Sequence, residues 1–287
     1  MGDFVSYSQL VIGPPGSGKS CYCKCMKKYF LATGRKCATI NLDPANEGIQ
    51  ETFGYTIDIT DLISLSETME KLKLGPNGAL IFCMEFLEKN FDWLERNIRQ
   101  EAANYLVFDF PGQVELFSHH NSVRNIAHRI NKIGCHTVVV QLIDVHVCCR
   151  PSTFVSAALL SLSCMLKLEL PHVNVLSKVD LFRISETESF NVEFYESAEN
   201  LEYLLPHMDY FSESGYTNER KDGLSELEKS WSEKNRALTG KIIEILQEFH
   251  LVNFHSFTIK DIHIVGKLVK IIDHVSGYSG TKEGSKK

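Results

Sequence analysis

An apolar run at Leu10–Ile12 leads directly into Gly13-Pro-Pro-Gly16-Ser17-Gly18-Lys19-Ser20, and a helical pattern, Gly18–Ala32, starts before that segment ends. The segment fits G-x-x-x-x-G-K-[ST], whose mechanism needs this context of a strand, a glycine-rich turn and a helix. Backbone N–H groups of Gly16, Ser17, Gly18, Lys19, Ser20 and Cys21 are expected to wrap phosphate oxygens, and the positive end of the helix adds to the attraction. Lys19 is expected to reach the β- and γ-phosphates, with the Ser20 hydroxyl ligating Mg²⁺. A strand that runs into a helix in this way commits the chain to an α/β architecture.

The rest of the pattern agrees. Apolar strand-like runs recur at Cys37–Leu42, Tyr105–Phe108, Thr137–Ile143, Val173–Leu176 and Val252–Phe257. Helical patterns lie between them at Ile59–Lys73, Ala79–Gln100, Val114–Asn131, Thr153–Leu168, Trp231–Phe249 and Asp261–Ser276. Gly34 follows the first helix where a left-handed cap is wanted. The alternation predicts a P-loop NTPase fold: a mostly parallel sheet flanked by helices, with ligands at the carboxyl ends of the strands. One domain is expected over residues 1–276. It carries a mostly helical insertion at about 43–100, a polar surface insertion at about 204–230 and a flexible Gly/Ser/Lys-rich tail at 277–287.

Composition narrows the function classes. Thirty Lys and Arg against 36 Asp and Glu leave a net charge of −6, which argues against a direct nucleic-acid binder. No uninterrupted apolar run approaches the roughly 18 to 20 residues that cross a bilayer; Ser156–Leu168 comes closest, broken by three serines and Lys167. Met1–Gln9 carries Asp3 and neither Arg nor Lys, which suits neither a secretory nor a mitochondrial signal. The expectation is a soluble, intracellular protein without a membrane partner. Nine cysteines, with no pair of CxxC motifs at zinc spacing, read as reduced core or helix thiols.

Further chemistry is expected at the strand ends. Asp109 closes one buried run and opens Asp109-Phe-Pro-Gly112-Gln113. A carboxylate there can hold a Mg²⁺-bound water, and the Pro-Gly turn can sense the γ-phosphate. Gln113 and Glu115 follow within reach of an attacking water. Asp43, fixed by Pro44 at the end of the second run, suits a carboxylate placed at a phosphate or its attacking water, although Asp-Pro is also a common strand exit. Ser177-Lys178-Val179-Asp180 approximates the [NT]KxD pattern of GTP-binding proteins. In that pattern the Asp accepts from guanine N1–H and N2–H₂, donors that adenine does not offer, and the Lys stem packs along the base. Rejecting the wrong base by leaving a carboxylate unpaired is effective. Ser177 stands where Asn or Thr is usual. Gly75-Pro76-Asn77 by residue chemistry alone is a turn.

Taken in order, GPPGSGKS, NLDPAN, LGPNG, DFPGQVE and SKVD resemble the GPN-loop GTPases, most closely the eukaryotic type 2 branch. The resemblance spans roughly Leu10 to Ser276, and its most specific parts are Gly75-Pro76-Asn77 and Leu42-Asp43-Pro44-Ala45-Asn46-Glu47-Gly48. It implies a Mg²⁺-dependent GTP hydrolase that packs two subunits with nucleotides near the interface, as a homodimer or as a heterodimer with a paralogue. It implies that the Gly75–Asn77 loop enters the partner's active site, where Asn77 helps to stabilise phosphate. It implies Asp43 for positioning or activating water, ahead of Glu115, with Gln113 as a further water-positioning group and Asp109 for Mg²⁺ through water. It also implies a role in assembly and nuclear import of RNA polymerase II and related polymerases, with polymerase subunits or assembly factors as partners and a cytoplasmic location with shuttling to the nucleus. The segment matching the family's base-contacting loop reads Ser256-Phe257-Thr258-Ile259, without a Ser-Ala-Lys signature.

Two other readings stand beside this one. One is an assembly or transport adaptor with a mainly structural nucleotide; the other is an ATPase of the same P-loop class, motivated by Ser177. A nucleotide kinase fits less well, because no Arg-rich lid lies between the motifs. His119, His120 and His128 read most simply as surface or packing residues.

Overall fold

Parallel strands covered on both faces are unbroken apolar runs, and each run seen in the sequence overlaps a strand of the folded chain. The computed structural model describes residues 5–46, 54–101, 103, 105–182, 190–208, 226–249 and 252–278, with 226–232 and 249 by backbone alone. Glu47, Gly48, most of the 204–230 insertion and the tail beyond residue 278 lie outside the described residues. The strands are β1 (Ser6–Ile12), β2 (Cys37–Asn41), β3 (Ile57–Asp58), β4 (Tyr105–Asp109), β5 (Cys135–Asp144), β6 (His172–Ser177) and β7 (Phe254–Phe257). They form one sheet in the order β3-β2-β4-β1-β5-β6-β7. The pairs from β3 through to β6 run parallel. Register aligns Asn41 with Asp109, Val11 with Asp109, and Asp144 with Ser177, so Asn41, Asp109 and Ser177 close their strands on the same carboxyl side of the sheet.

The helices are α1 (Lys19–Ala32), α2 (Leu65–Leu72), α3 (Pro76–Lys89), α4 (Phe91–Gln100), α5 (Val114–Ser118), α6 (Ser122–Lys132), α7 (Pro151–Leu168), α8 (Val192–Ser197), α9 (Glu226–Phe249) and α10 (Ile262–Ser276). Gly34, at φ +79°, ends α1: its N–H reaches Leu31 O at 3.2 Å and the Arg35 N–H reaches Phe30 O at 2.8 Å, a Schellman closure.

Three helices expected as continuous are broken. The Ile59–Lys73 pattern is a 3₁₀ turn followed by α2, because the Ser64 side chain accepts from Glu67 N and starts a new helix there. The Ala79–Gln100 pattern starts earlier, at Pro76, and breaks at Asn90 (φ −103°, ψ 33°), whose Nδ2 donates back to Phe86 O at 2.8 Å. The Val114–Asn131 pattern splits into α5 and α6 around His119–Asn121. The apolar period continues across each break, which is why the sequence pattern missed them.

By internal contact the chain gathers into two compact units. The first comprises Met1–Asp144, Cys164–Asp180 and His255–Lys287. Its core joins Tyr22, Met26 and Phe30 of α1 and Val265, Leu268 and Ile272 of α10 to Val107, Val138 and Val140 of the sheet. Each fully buried large side chain there contributes ~1.5–3 kcal/mol. The second comprises Val145–Ser163 and Leu181–Phe254; Phe154 meets Tyr195 edge-on at 4.8 Å and Phe254 at 5.6 Å. Helix α7 has 18 residues and a mean hydropathy of 1.4, enough by length and composition alone for a membrane span, but Phe154, Ala158, Cys164 and Leu168 are buried in the protein. Burial also pushes the Cys135 and Cys164 thiols up to about 12, as inert core thiols require.

Candidate functional site

The loop after β1 is built on absent side chains. Gly13 takes φ +146°, and a Cβ there would lie 2.3 Å from the Leu142 carbonyl oxygen. Gly16 and Gly18 follow at φ +79° and +90°, the left-handed region that glycine enters without penalty. The Ser17 N–H closes the turn on Pro14 O at 3.2 Å. Gly18 precedes α1 without a side-chain cap, which leaves the first amides of the helix directed toward the loop, an arrangement that suits phosphate oxygens. Lys19 is buried, with Nζ donating to Gly13 O at 3.1 Å and Pro14 O at 3.2 Å. Burial lowers its pKa, while the charges of Asp109 and Asp43 raise it. Gly112 faces this ammonium: a Cβ on it would stand 2.8 Å from Lys19 Nζ and 3.3 Å from the Pro15 backbone. The loop, its lysine and the Pro-Gly turn thus form one packed unit.

On the acidic side, Asp109 is fully buried at the end of β4. Burial raises its carboxyl to about 6, with Tyr55, Ser20 and Lys19 pulling it down and Asp43 pushing it up. Tyr55 Oη donates to Asp109 Oδ2 at 2.6 Å. Among the described residues, Asp109 Oδ1 and Gln113 Oε1 are buried polar atoms without a hydrogen-bond partner. Orphaned acceptors beside a lysine and a serine hydroxyl fit a hydrated Mg²⁺, with Ser20 to hold the ion directly and Asp109 through water. Asp43 is raised by burial and lowered by the Ala45 amide and Lys19; the Ala45 N–H reaches its Oδ1 at 3.0 Å. Asn41 Oδ1 accepts from Asp43 N at 3.1 Å and from Asn46 Nδ2 at 3.3 Å, and its Nδ2 donates to Asp58 Oδ2 at 3.1 Å.

Two expected groups are solvent-exposed rather than packed into this cluster. Glu115 is exposed in the first turn of α5. Gly75, Pro76 and Asn77 are exposed where α3 begins, with Pro76 at the first helical position, where its missing N–H is harmless.

At the far end of the site, Ser177 Oγ donates to Ser17 O at 2.7 Å and Ile143 O at 3.1 Å, clamping the phosphate loop to β6. Lys178 takes φ +59°, and its Nζ bonds Gly16 O and Asp144 Oδ2, both at 2.6 Å. Val179 opens the short turn that carries Asp180. Asp180 Oδ1 accepts from Thr258 Oγ1 at 2.7 Å, and its Oδ2 pairs with Lys260 Nζ at 2.7 Å. Lys260 first, then Thr258, holds the carboxyl below its ordinary value. The segment after β7 therefore supplies partners for Asp180 despite its lack of a Ser-Ala-Lys signature. Tyr55 and Lys260 join these groups although no motif named them, and Asn41 and Thr258, present in the quoted segments, had been assigned no role of their own. Thr258 and Lys260 were readable as polar residues just past a strand end; nothing in the sequence marks Tyr55.

A family profile described as "Conserved hypothetical ATP binding protein" matches residues 11–278. The chain is 43% identical over 274 residues to GPN-loop GTPase QQT1 of Arabidopsis thaliana, covering 95% of this chain and 85% of that protein. It is 40% identical over 275 residues to GPN-loop GTPase 2 of Danio rerio, covering 95% and 81%. The crystal structure of an apo GTPase from Pyrococcus abyssi shares the fold at a TM-score of 0.67 and 21% identity, over 95% of this chain and 98% of that one. With such identity sustained across nearly its full length, this chain belongs to the GPN-loop GTPase family.

Proposed function

We propose that the chain hydrolyses GTP to GDP and phosphate in a Mg²⁺-dependent reaction, and that it does so as a dimer, with itself or with a paralogue. The observation that carries this reading is the joint placement of Lys19, Ser20 and Asp109 at one end of the site and a doubly held Asp180 at the other. Lys19 binds the β- and γ-phosphate oxygens and neutralises charge as the terminal bond breaks. Mg²⁺, held by Ser20 directly and by Asp109 through water, would supply further charge neutralisation. Asp43, raised by burial and set by its turn, orients the attacking water and accepts a proton at its carboxylate, with Gln113 Oε1 as a second acceptor for that water. Loss of the γ-phosphate removes contacts at Asp43 and Gly112 and reshapes the dimer. Exposure of Gly75–Asn77 on the protomer suits a loop that acts across a subunit boundary, with Asn77 donating to phosphate.

By family resemblance the switch serves assembly and nuclear import of RNA polymerase II and related polymerases, in the cytoplasm with shuttling to the nucleus. Its partners are polymerase subunits or assembly factors, without direct contact to nucleic acid or membrane. The test is a pair of variants on the full chain. Lys19→Ala loses nucleotide affinity, read by labelled-GDP titration. Asn77→Ala keeps GTP affinity while single-turnover hydrolysis slows by at least about tenfold. An unchanged rate for Asn77→Ala at saturating GTP sinks the proposed role of the loop.

One observation favours a second reading: the matching profile names ATP. Competition between guanine and adenine nucleotides separates the two. Equal displacement of labelled GDP by ATP makes this an adenine-tolerant hydrolase.

A further inference from the structure

Tyr55 belongs to none of the motifs, yet its hydroxyl touches the metal side of the site. It donates to Asp109 Oδ2 at 2.6 Å, and Ser20 interacts with both Tyr55 and Asp109. The backbone on either side is pinned: Lys27 Nζ donates to Gly54 O, and Thr56 N donates to Thr39 O at 2.8 Å. Ile57 and Asp58 then enter the sheet opposite Ile40 and Asn41. A phenol carried between two such anchors is preorganised, so little conformational freedom is lost in making its bond. Its effect on the carboxylate is asymmetric. One oxygen is engaged by Tyr55, and the other, Oδ1, is buried and unpartnered among the described residues.

We infer that Tyr55 is a positioning residue: by fixing Oδ2 of Asp109 it presents Oδ1 to the metal-bound water and so sets the Mg²⁺ concentration at which nucleotide is held. The inference rests on the Mg²⁺-dependent reading above. A ligand-orienting partner of this kind acts on metal affinity through the group it holds. The alternative geometry, in which the phenol is a plug that Mg²⁺ must expel, predicts the opposite sign.

The experiment titrates Mg²⁺ against the full chain with a fluorescent, non-hydrolysable GTP analogue, so the readout is binding. Tyr55→Phe removes one hydroxyl and keeps the ring, and a melting curve checks its fold. Half-saturation is expected to need about fivefold more Mg²⁺, the factor for one lost hydrogen bond, while the affinity measured in EDTA stays at the wild-type value. In an Asp109→Asn background the same substitution adds nothing. An unchanged or lowered Mg²⁺ requirement in Tyr55→Phe overturns the inference, as does an undiminished effect in the Asp109→Asn background. Wild-type protein that holds the analogue equally well without Mg²⁺ overturns the metal-dependent reading itself, and the inference with it.

Discussion

Gly13 and Gly112 show how little separates a working loop from a blocked one. A methyl at Gly13 would strike the Leu142 carbonyl, a backbone group that cannot swing aside, whereas one at Gly112 meets first the flexible end of Lys19. Gly112→Ala is therefore expected to spare folding, with a melting temperature within a few degrees of wild type, and to displace Lys19 enough to weaken nucleotide binding by at least about tenfold in calorimetry. His172 makes a residue-scale prediction about pH. It is half-buried with Nδ1 shut away from water, and that desolvation lowers its pKa to about 3, with Nε2 3.0 Å from Gln141 Oε1. The folded state keeps the ring neutral while the unfolded chain takes up a proton below about 6.5. Stability is thus fully present above pH 6.5 and declines as pH falls toward 3, by about 2 kcal/mol between pH 6.5 and 5. His172→Gln should flatten that part of the profile in urea titrations at pH 7.5 and 5; an identical slope in the variant contradicts it.

At the scale of elements, what was legible follows from burial. Strand β5 is ten residues of mostly apolar character, and the motif glycines announce their turn, so the sheet and the phosphate loop could be read directly. Strand β3 has two residues, too few for any period, yet it sets Asp58 beside Asn41 and begins two residues after Tyr55. The partnership of Asp180 with Thr258 and Lys260 joins residues about 80 positions apart, and neighbouring residues along the chain carry no trace of it. Ser177 was a departure from pattern in the sequence. In the fold its short hydroxyl bonds Ser17 O, a backbone clamp. A second tie joins the end of α1 to α10. Arg35 forks onto both oxygens of Asp273 at 2.9 and 2.6 Å and lies 4.3 Å over the Tyr278 ring. Both partners are largely buried, so Asp273→Ala leaves a cation without its counter-charge and should lower unfolding free energy by about 2–3 kcal/mol. Nucleotide affinity should be untouched, because the pair is remote from the loop in sequence and in contacts.

For the whole molecule, dimerisation is the proposal with the plainest readout. Sedimentation of a 32.5 kDa chain with a GTP analogue should give twice the monomer mass, and a monomer at every nucleotide state and working concentration contradicts it. The sheet order has another consequence, one of timing. Strand β1 sits between β4 and β5, so Ser8 finds its neighbours at Leu106 and Thr137, about 100 and 130 residues later in the chain. On the ribosome, β1 waits with both edges bare until Tyr105–Asp109 has emerged and with one edge bare until Cys135–Asp144 has, and the Ser177 clamp comes later still. Pairing over such sequence distances is slow and leaves apolar edges open to association. The nucleotide pocket of a growing chain is thus closed long after its glycine-rich loop has been translated.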